Sequence, residues 1–304
     1  MARSNKSIFI ALGANIAIGV IKFIAGSITR SGAMISEGVH SVVDSVNELL
    51  LLYGIYRSNR KRDKQHPFGY GRDLYFWSFI VAILIFGLGA GVSFYQGVTH
   101  LKSPRLTDHL GWNYLVLALS FLFDGSSFWV ALKGFNKTRN SGVIHRKESL
   151  WAAIVRSKDP ASFMVLFEDG AAMLGVSVVA LCLAIEGWTK NPYMDGVASI
   201  GVGLILTIAS AFLARESRSL LMGEGISEET EQRIIVLIKE DPAVIKVKRI
   251  FSMYESPDEV LLVALISFDP QITTETLTEK IDGIKERIRK RYPKLNYIII
   301  QPEE

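Results

Sequence analysis

Residues 36–48 read SEGVHSVVDSVNE and place ionisable side chains inside an otherwise apolar segment that spans residues 33–56. Residues three and four apart are neighbours on a helix, so Glu37, His40, Asp44 and Glu48 are predicted to share one face. Each such group costs at least about 2.5 kcal/mol near the centre of a bilayer unless it faces a protein interior or a watery path. An imidazole and a carboxylate one turn apart can bind one metal ion, or they can form a buried hydrogen bond that joins helices.

The composition indicates a membrane protein. Of the 304 residues 49% are hydrophobic and 21% are charged, and the mean hydropathy is +0.26. A bilayer core about 30 Å thick needs about 20 apolar residues per helix, and windows of that kind recur along the chain. They are residues 8–29, 33–56, 74–98, 111–132, 161–187 and 193–214. We therefore expect six transmembrane helices, with the first retained as an anchor.

Basic residues indicate the topology, because loops rich in Lys and Arg stay on the cytoplasmic side. The loops after the second and fourth spans are the basic ones; they carry Arg57, Arg60, Lys61, Arg62, Lys64 and Arg72, then Lys133, Lys137, Arg139, Arg146, Lys147, Arg156 and Lys158. The expectation is a multi-pass protein of the cytoplasmic (inner) membrane with both termini cytoplasmic. Basic residues interleaved with aromatics on a soluble face are absent, so no nucleic acid is expected as a partner. The lone Cys182 excludes a disulfide framework and a Cys-based zinc site.

Acidic residues converge at one depth. The fifth span starts at Lys158-Asp159-Pro160 and carries Glu168-Asp169. At a rise of about 1.5 Å per residue, Asp169 lies about 14 Å from the cytoplasmic end, and Asp44 lies about 16 Å from the outer end. Asp124 of the fourth span lies at a similar depth and suits proton handling, the metal path or a structural hydrogen bond. This convergence favours a metal site over a purely structural pair.

The loop before the third span reads DKQHPFGYGRD over residues 63–73 and carries an Asp/His pair. Together with His40-x-x-x-Asp44, this loop closely resembles the cation diffusion facilitator family, whose members carry HPFGHGR-like loops at this place. The resemblance extends to the six-helix count, the acidic fifth span and the tail. It is strongest to the branch that includes a mitochondrial zinc exporter.

The resemblance implies export of a divalent metal, usually zinc, in exchange for protons by a homodimer in a lipid bilayer. His40, Asp44 and Asp169 match the family's transport site. The family's histidine four positions before Asp169 is replaced by Val165, so Glu168, Glu37 or a water is the expected fourth ligand. Asp63 and His66 match a second site, but Tyr70 replaces a histidine there, and we expect that site to be weak or absent.

The chain is expected to divide into a transmembrane domain, residues 1–214, and a cytoplasmic tail, residues 215–304. The tail pattern predicts helix, strand, strand, helix, strand, with Ser227 capping the first helix and Leu277, Ile281, Ile284 and Ile288 forming an apolar stripe on the second. This matches the family's small α/β, metallochaperone-like domain. The tail contains no His or Cys, so dimerisation is its expected role.

Two functions remain open on the sequence. The first is a proton-coupled exporter of Zn²⁺, with Fe²⁺, Co²⁺, Cd²⁺ or Mn²⁺ as alternative cargo, because mixed imidazole and carboxylate ligands favour zinc. The second is a non-transporting membrane scaffold or regulator that has lost a ligand, which Val165 favours. An enzyme is disfavoured, since no HExxH motif occurs, and no organic cofactor is expected.

Overall fold

A computed structural model describes residues 5–107, 110–138, 154 and 158–303. Its contacts divide the chain into two compact units. The first, the helical unit, comprises Met1–Ile55 and Phe76–Ser217. The second, the α/β unit, comprises Tyr56–Tyr75 and Arg218–Glu304.

Long helices make up the helical unit, and the last continues to Met222. In chain order they are α1 (Asn5–Thr29), α2 (Gly32–Ser58), α3 (Asp73–Leu84), a π-helical segment (Ile85–Ala90), α4 (Gly91–Lys102), α5 (Leu110–Thr138), α6 (Pro160–Thr189) and α7 (Met194–Met222). Because α3, the π segment and α4 are continuous, the described residues form six long helical rods. The predicted boundary after residue 214 stays a prediction.

Four of these rods are long and apolar enough to cross a membrane by themselves. They are Asp73–Lys102, Gly111–Asn136, Pro160–Thr189 and Met194–Met222. The described part of α1 contributes a shorter apolar helix, Asn15–Thr29, and α2 does not qualify although it has 27 residues. The polar residues of α2 lower its hydropathy. The structure therefore supports four clear spans, and the count of six stays a prediction.

The start of α2 is fixed by groups from two directions. Arg30 adopts a left-handed conformation, with φ 56°, and turns the chain from α1 into α2. The carboxylate of Asp195 on α7 accepts hydrogen bonds from the Ser31 hydroxyl and from the Gly32 amide, the latter at 2.7 Å. It thus satisfies amides that a helix leaves without partners at its first turn. These contacts set the depth of α2 relative to α7.

The first turn of α6 forms as the sequence predicts. Asp159 caps it by accepting a hydrogen bond from the Ala161 amide at 3.2 Å, and Pro160 follows where its missing N–H costs nothing. The helix ends at Lys190, which is left-handed with φ 55°. Glu168 and Asp169 therefore lie in the third turn of an uninterrupted helix.

The α/β unit confirms the predicted element order of the tail. Its elements are α8 (Glu228–Lys239), β1 (Val244–Ser256), β2 (Glu259–Phe268), α9 (Thr274–Arg291) and β3 (Tyr297–Pro302). The strand order is β1-β2-β3; β1 pairs with β2 antiparallel and β2 with β3 parallel. Ser227 caps α8 as predicted, and Ile284 and Ile288 of the apolar stripe on α9 are fully buried.

The loop between α2 and α3 belongs to the α/β unit. Arg72 pairs with Glu255 of β1 at 3.0 Å, and Arg62 pairs with Glu259 of β2 at 2.8 Å. Gly71 lies so close to the Glu255 carbonyl that a Cβ would clash with it. The loop is therefore held by contacts to the sheet that are distant in sequence.

Candidate metal site

The polar face of α2 is buried inside the helical unit. Glu37 is 0% exposed and His40 is 1% exposed, and the Asp44 side chain is 18% exposed. The helix continues through this polar run because residues 32–58 include no proline. The hydroxyls of Ser36, Ser41 and Ser45 donate hydrogen bonds to backbone carbonyls one turn earlier in the same helix. A row of ionisable groups is thus fixed on one side of a rigid rod.

His40 and Asp44 are arranged as two ligands of one ion would be. The His40 Nδ1 and Asp44 Oδ1 atoms lie 3.2 Å apart, yet neither makes a hydrogen bond, and His40 Nε2 makes none either. Two tetrahedral zinc ligands, each about 2.05 Å from the metal, are about 3.3 Å from each other. Buried nitrogen and oxygen atoms without hydrogen bonds are uncommon and call for an explanation. This pair fits a divalent cation in spacing, chemistry and burial.

Glu168 of α6 adjoins this pair. Its Oε1 accepts a hydrogen bond from the Asn47 side-chain amide at 2.6 Å, and its carboxyl group adjoins that of Asp44. A third oxygen-bearing group is therefore next to Asp44.

Asp169 faces a different neighbour. It lies beside Ser127 of α5, and its Oδ2 is buried without a hydrogen bond. Successive residues of a helix differ by about 100° in direction, so Glu168 lies towards α2 while Asp169 lies towards α5. Within the described ranges, no three His, Cys, Asp or Glu side chains lie close enough to hold a metal ion jointly. The structure thus joins His40 to Asp44 and Asp44 to Glu168, but it does not bring Asp169 to them.

Asp124 of α5 lies on the same side of the cluster as Asp169. It interacts electrostatically with Asp44 and Asp169, and its buried Oδ2 makes no hydrogen bond. The third acidic residue that the depth argument singled out is therefore within electrostatic range of the site.

Two participants were not assigned from the sequence. Asn47, which holds Glu168, follows Asp44 by three positions and so shares its helix face, a signal that the spacing alone offers. Lys22 of α1 pairs with Glu37, the rival fourth ligand, at 3.2 Å, and no sequence pattern selects that partner. One oxygen of Glu37 is thereby engaged.

The loop pair Asp63 and His66 has a different surrounding. Asp63 Oδ1 lies 3.2 Å from His66 Nδ1 and accepts hydrogen bonds from the amides of Gln65 and His66 at 2.9 and 2.8 Å. The Tyr70 hydroxyl donates to Asp63 Oδ2 at 2.5 Å, and the Tyr70 ring stacks on His66 at 4.2 Å. Both oxygens of Asp63 are therefore engaged within the loop itself.

Hydrogen bonding also sets the acidity of this loop. The hydrogen bond from the Tyr70 hydroxyl, followed by that from the His66 amide, lowers the pKa of Asp63 from 3.8 to about 2. The same bond to Asp63 raises the pKa of the Tyr70 hydroxyl. Asp63 is therefore held as a hydrogen-bonded carboxylate at neutral pH. The tyrosine that replaces a histidine is thus part of a hydrogen-bonded loop structure.

Family comparisons match both units. The model of the cation efflux transmembrane domain matches residues 8–222, and the model of the cation efflux protein cytoplasmic domain, named for dimers, matches residues 226–304. Together they cover nearly the whole chain. The tail match agrees with the α/β architecture described above.

Curated relatives give the same result. The proton-coupled zinc antiporter SLC30A9, mitochondrial, of Xenopus laevis is 33% identical over 95% of this chain and 52% of its own length. The human protein of that name is 34% identical over 91% of this chain and 48% of its own. The manganese efflux system protein MneP of Bacillus subtilis is 24% identical over 98% of this chain and 95% of its own. The chain thus spans about half the length of its SLC30A9 relatives.

Proposed function

The chain belongs to the cation diffusion facilitator family, near the branch of the mitochondrial zinc exporter, and from this premise we propose that it exports Zn²⁺ in exchange for protons. It is a multi-pass membrane protein, and the names of its relatives support a metal transporter rather than an enzyme. Zinc as cargo and protons as the counter-ion are the proposed parts, and the names of the SLC30A9 relatives support them.

The observation that carries the proposal is the His40 and Asp44 pair. Its donor atoms are 3.2 Å apart, buried and without hydrogen bonds, which suits two ligands of one zinc ion. An imidazole nitrogen beside a carboxylate oxygen favours zinc over manganese, which prefers oxygen ligands. We therefore assign His40 and Asp44 as the first ligands of the cargo.

The remaining ligands come from α6 in this proposal. Glu168 adjoins Asp44 and serves as a third ligand in its deprotonated form. Asp169 becomes a further zinc ligand when α6 shifts or rotates. Binding of Asp169 to the metal therefore distinguishes the zinc-loaded site from the arrangement described here. Alternating access, in which helices rock around a fixed site near the midplane, supplies such a movement.

Proton coupling follows from the ligand chemistry. Zinc binds the deprotonated forms of His and Asp, so loading the site releases protons and protonation releases the metal. On the more acidic side of the membrane protons displace zinc, and an inward proton gradient therefore drives zinc outward.

The proposed setting has six transmembrane helices with both termini cytoplasmic, as the basic loops favour. The placement in a cytoplasmic membrane is part of the proposal, whereas the SLC30A9 relatives are named mitochondrial. The tail's match to a dimer domain supports a homodimer. The residues 1–214 and 215–304 are the proposed division between membrane and cytoplasm.

A non-transporting scaffold or regulator is the second candidate. It is favoured by Val165 in place of the family's histidine and by the separation of Asp169 from His40 and Asp44 in the part of the chain described here. Such a protein would bind zinc at most weakly and would carry none across the bilayer.

Zinc flux into a zinc-sensitive dye in sealed proteoliposomes separates these candidates. We expect the wild-type protein to move zinc into the vesicles faster when protons can flow out of them down their gradient. Each of the variants Asp44→Ala, His40→Ala and Asp169→Ala should abolish this flux without unfolding the protein. Asp258→Asn is the matched control, because that carboxylate is 86% exposed on the α/β unit. Wild-type flux from Asp44→Ala contradicts the site, and a folded wild-type protein that moves no divalent metal supports the scaffold.

A further inference from the structure

A buried ion pair joins α1 to α2 beside the candidate metal site. Lys22 Nζ lies 3.2 Å from Glu37 Oε2, and the two side chains are 1% and 0% exposed. Removing both charges from water is costly, and apolar residues of similar volume often stabilise a fold equally well. Lys22 and Glu37 therefore invite an explanation beyond packing.

The pair lies close to the proposed ligands. Glu37 precedes His40 by three residues on the same helix face, towards the start of α2. The Lys22 ammonium acts electrostatically on His40, Asp44 and Asp124. A cation bound between His40 and Asp44 would experience this positive charge in a buried environment of low dielectric.

Glu37 is only half engaged by Lys22. Its Oε1 is buried without a hydrogen-bond partner. Gly175 of α6 lies against that atom, and a Cβ at position 175 would come within 2.8 Å of it. A free carboxylate oxygen thus faces the same helix that carries Glu168 and Asp169, nearer the start of α2 than the His40 and Asp44 pair.

The positive charge of Lys22 offsets part of the negative charge of the carboxylates at the site. Asp44 and Glu168 lie at the proposed site and Asp124 interacts with Asp44 electrostatically, so a dication would be strongly attracted by these carboxylates. An internal ammonium reduces that attraction without occupying a ligand position. Glu37 fixes the ammonium and leaves one oxygen for a passing cation.

We propose that Lys22 and Glu37 together set how tightly the site holds its metal, with Lys22 favouring release and Glu37 offering an oxygen on the way out. Lys22 is a positioning residue for transport, whereas Glu37 would contact the passing metal, and the inference rests on the proposed function. If the pair only held α1 against α2, removing either charge would not change zinc affinity in opposite directions.

Removing the positive charge and removing the negative charge should change zinc affinity in opposite directions, and this difference is the test. Zinc affinity is measured by calorimetry on the purified full chain at one pH. We expect Lys22→Gln to bind zinc about ten-fold tighter and Glu37→Gln about ten-fold weaker, since each changes the local charge by one unit in an opposite sense. The double variant restores the balance and should return close to the wild-type affinity, and Lys22→Arg keeps the charge and should match the wild type.

Turnover supplies a second readout. If release limits transport, Lys22→Gln lowers both the maximal zinc flux in proteoliposomes and the zinc concentration at half-maximal flux. A structural role would lower the flux without tightening the half-maximal concentration. Size-exclusion profiles and thermal unfolding monitor the fold, and the double variant, which leaves no unpaired charge at positions 22 and 37, keeps the test available if a single variant unfolds.

Two results overturn the inference. If Lys22→Gln and Glu37→Gln both weaken zinc binding, or both leave it unchanged while wild-type protein binds zinc, the pair is a structural brace and the proposed function stands. A folded wild-type protein that binds no zinc overturns the proposed function and this inference together.

Discussion

Two His and Asp pairs in this molecule have the same distance between their nitrogen and oxygen atoms but different surroundings. In α2 the Nδ1 of His40 and the Oδ1 of Asp44 are 3.2 Å apart, and in the loop the Nδ1 of His66 and the Oδ1 of Asp63 are also 3.2 Å apart. The first pair is buried and makes no hydrogen bond through these atoms. The loop pair is 46% exposed at both side chains, and Asp63 accepts bonds from Tyr70 and from backbone amides.

The difference lies in what else uses the ligand lone pairs. A metal at Asp63 must displace the Tyr70 hydroxyl and the amides of Gln65 and His66, which already satisfy the carboxylate. Asp44 Oδ1 and both ring nitrogens of His40 make no hydrogen bond that a metal would have to displace. Ligand spacing is therefore necessary for a metal site, but competition for the same lone pairs decides whether metal binds.

The largest expected effect separates the two pairs directly. The double variant His40→Ala with Asp44→Ala should weaken zinc binding by about 100-fold or more and abolish flux, because losing ligands costs more than the 10–100-fold of outer-shell changes. The matched variant Asp63→Ala with His66→Ala should lower flux modestly. Calorimetry and proteoliposome flux measure both. Complete loss of flux in the loop variant would mean that the loop pair is a metal site after all.

A smaller effect sharpens the account of the helical pair. Glu168→Gln removes a ligand and a titrating group, so it should weaken zinc affinity about ten-fold and flatten its rise with pH. Zinc affinity across pH 5.5 to 8, around the reference histidine pKa of about 6.5, is the measurement. Val165→His should partly rescue the variant by restoring the family's usual ligand. An unchanged affinity and pH slope in Glu168→Gln would leave water or Glu37 as the fourth ligand.

The smallest effect concerns the loop pair. Tyr70→Phe removes the main cause of the low pKa of Asp63, which should rise from about 2 towards 3.8. Because the pKa of Asp63 is lower in the folded state, its contribution to stability is fully present above pH 3.8 and is lost as the pH falls towards about 2. In the variant the folded and unfolded pKa values lie closer together, so this contribution becomes smaller. Carbon NMR of labelled aspartate in the solubilised protein follows the titration. Tyr53→Phe, in α2, is the control, and an unchanged Asp63 titration in Tyr70→Phe would contradict the account of the loop.

Much of the fold follows from local sequence patterns. Apolar windows of membrane length predict the long helices, and the stretch Lys158-Asp159-Pro160 predicts the start of α6. Alternation, turns and the apolar stripe predict the order of elements in the α/β unit. These features depend on neighbours in the chain, and a single sequence contains them.

The sequence by itself determined that His40 and Asp44 share a helix face, because one helical turn separates them. Only the tertiary structure decided that Glu168, and not Asp169, adjoins Asp44, since the rotation of α6 depends on packing such as that of Gly175 against Glu37. It likewise decided that Lys22 pairs with Glu37 and that the loop residues Arg62 and Arg72 pair with β-strand carboxylates. Such contacts join residues far apart in the chain, and their geometry depends on how whole helices and strands pack.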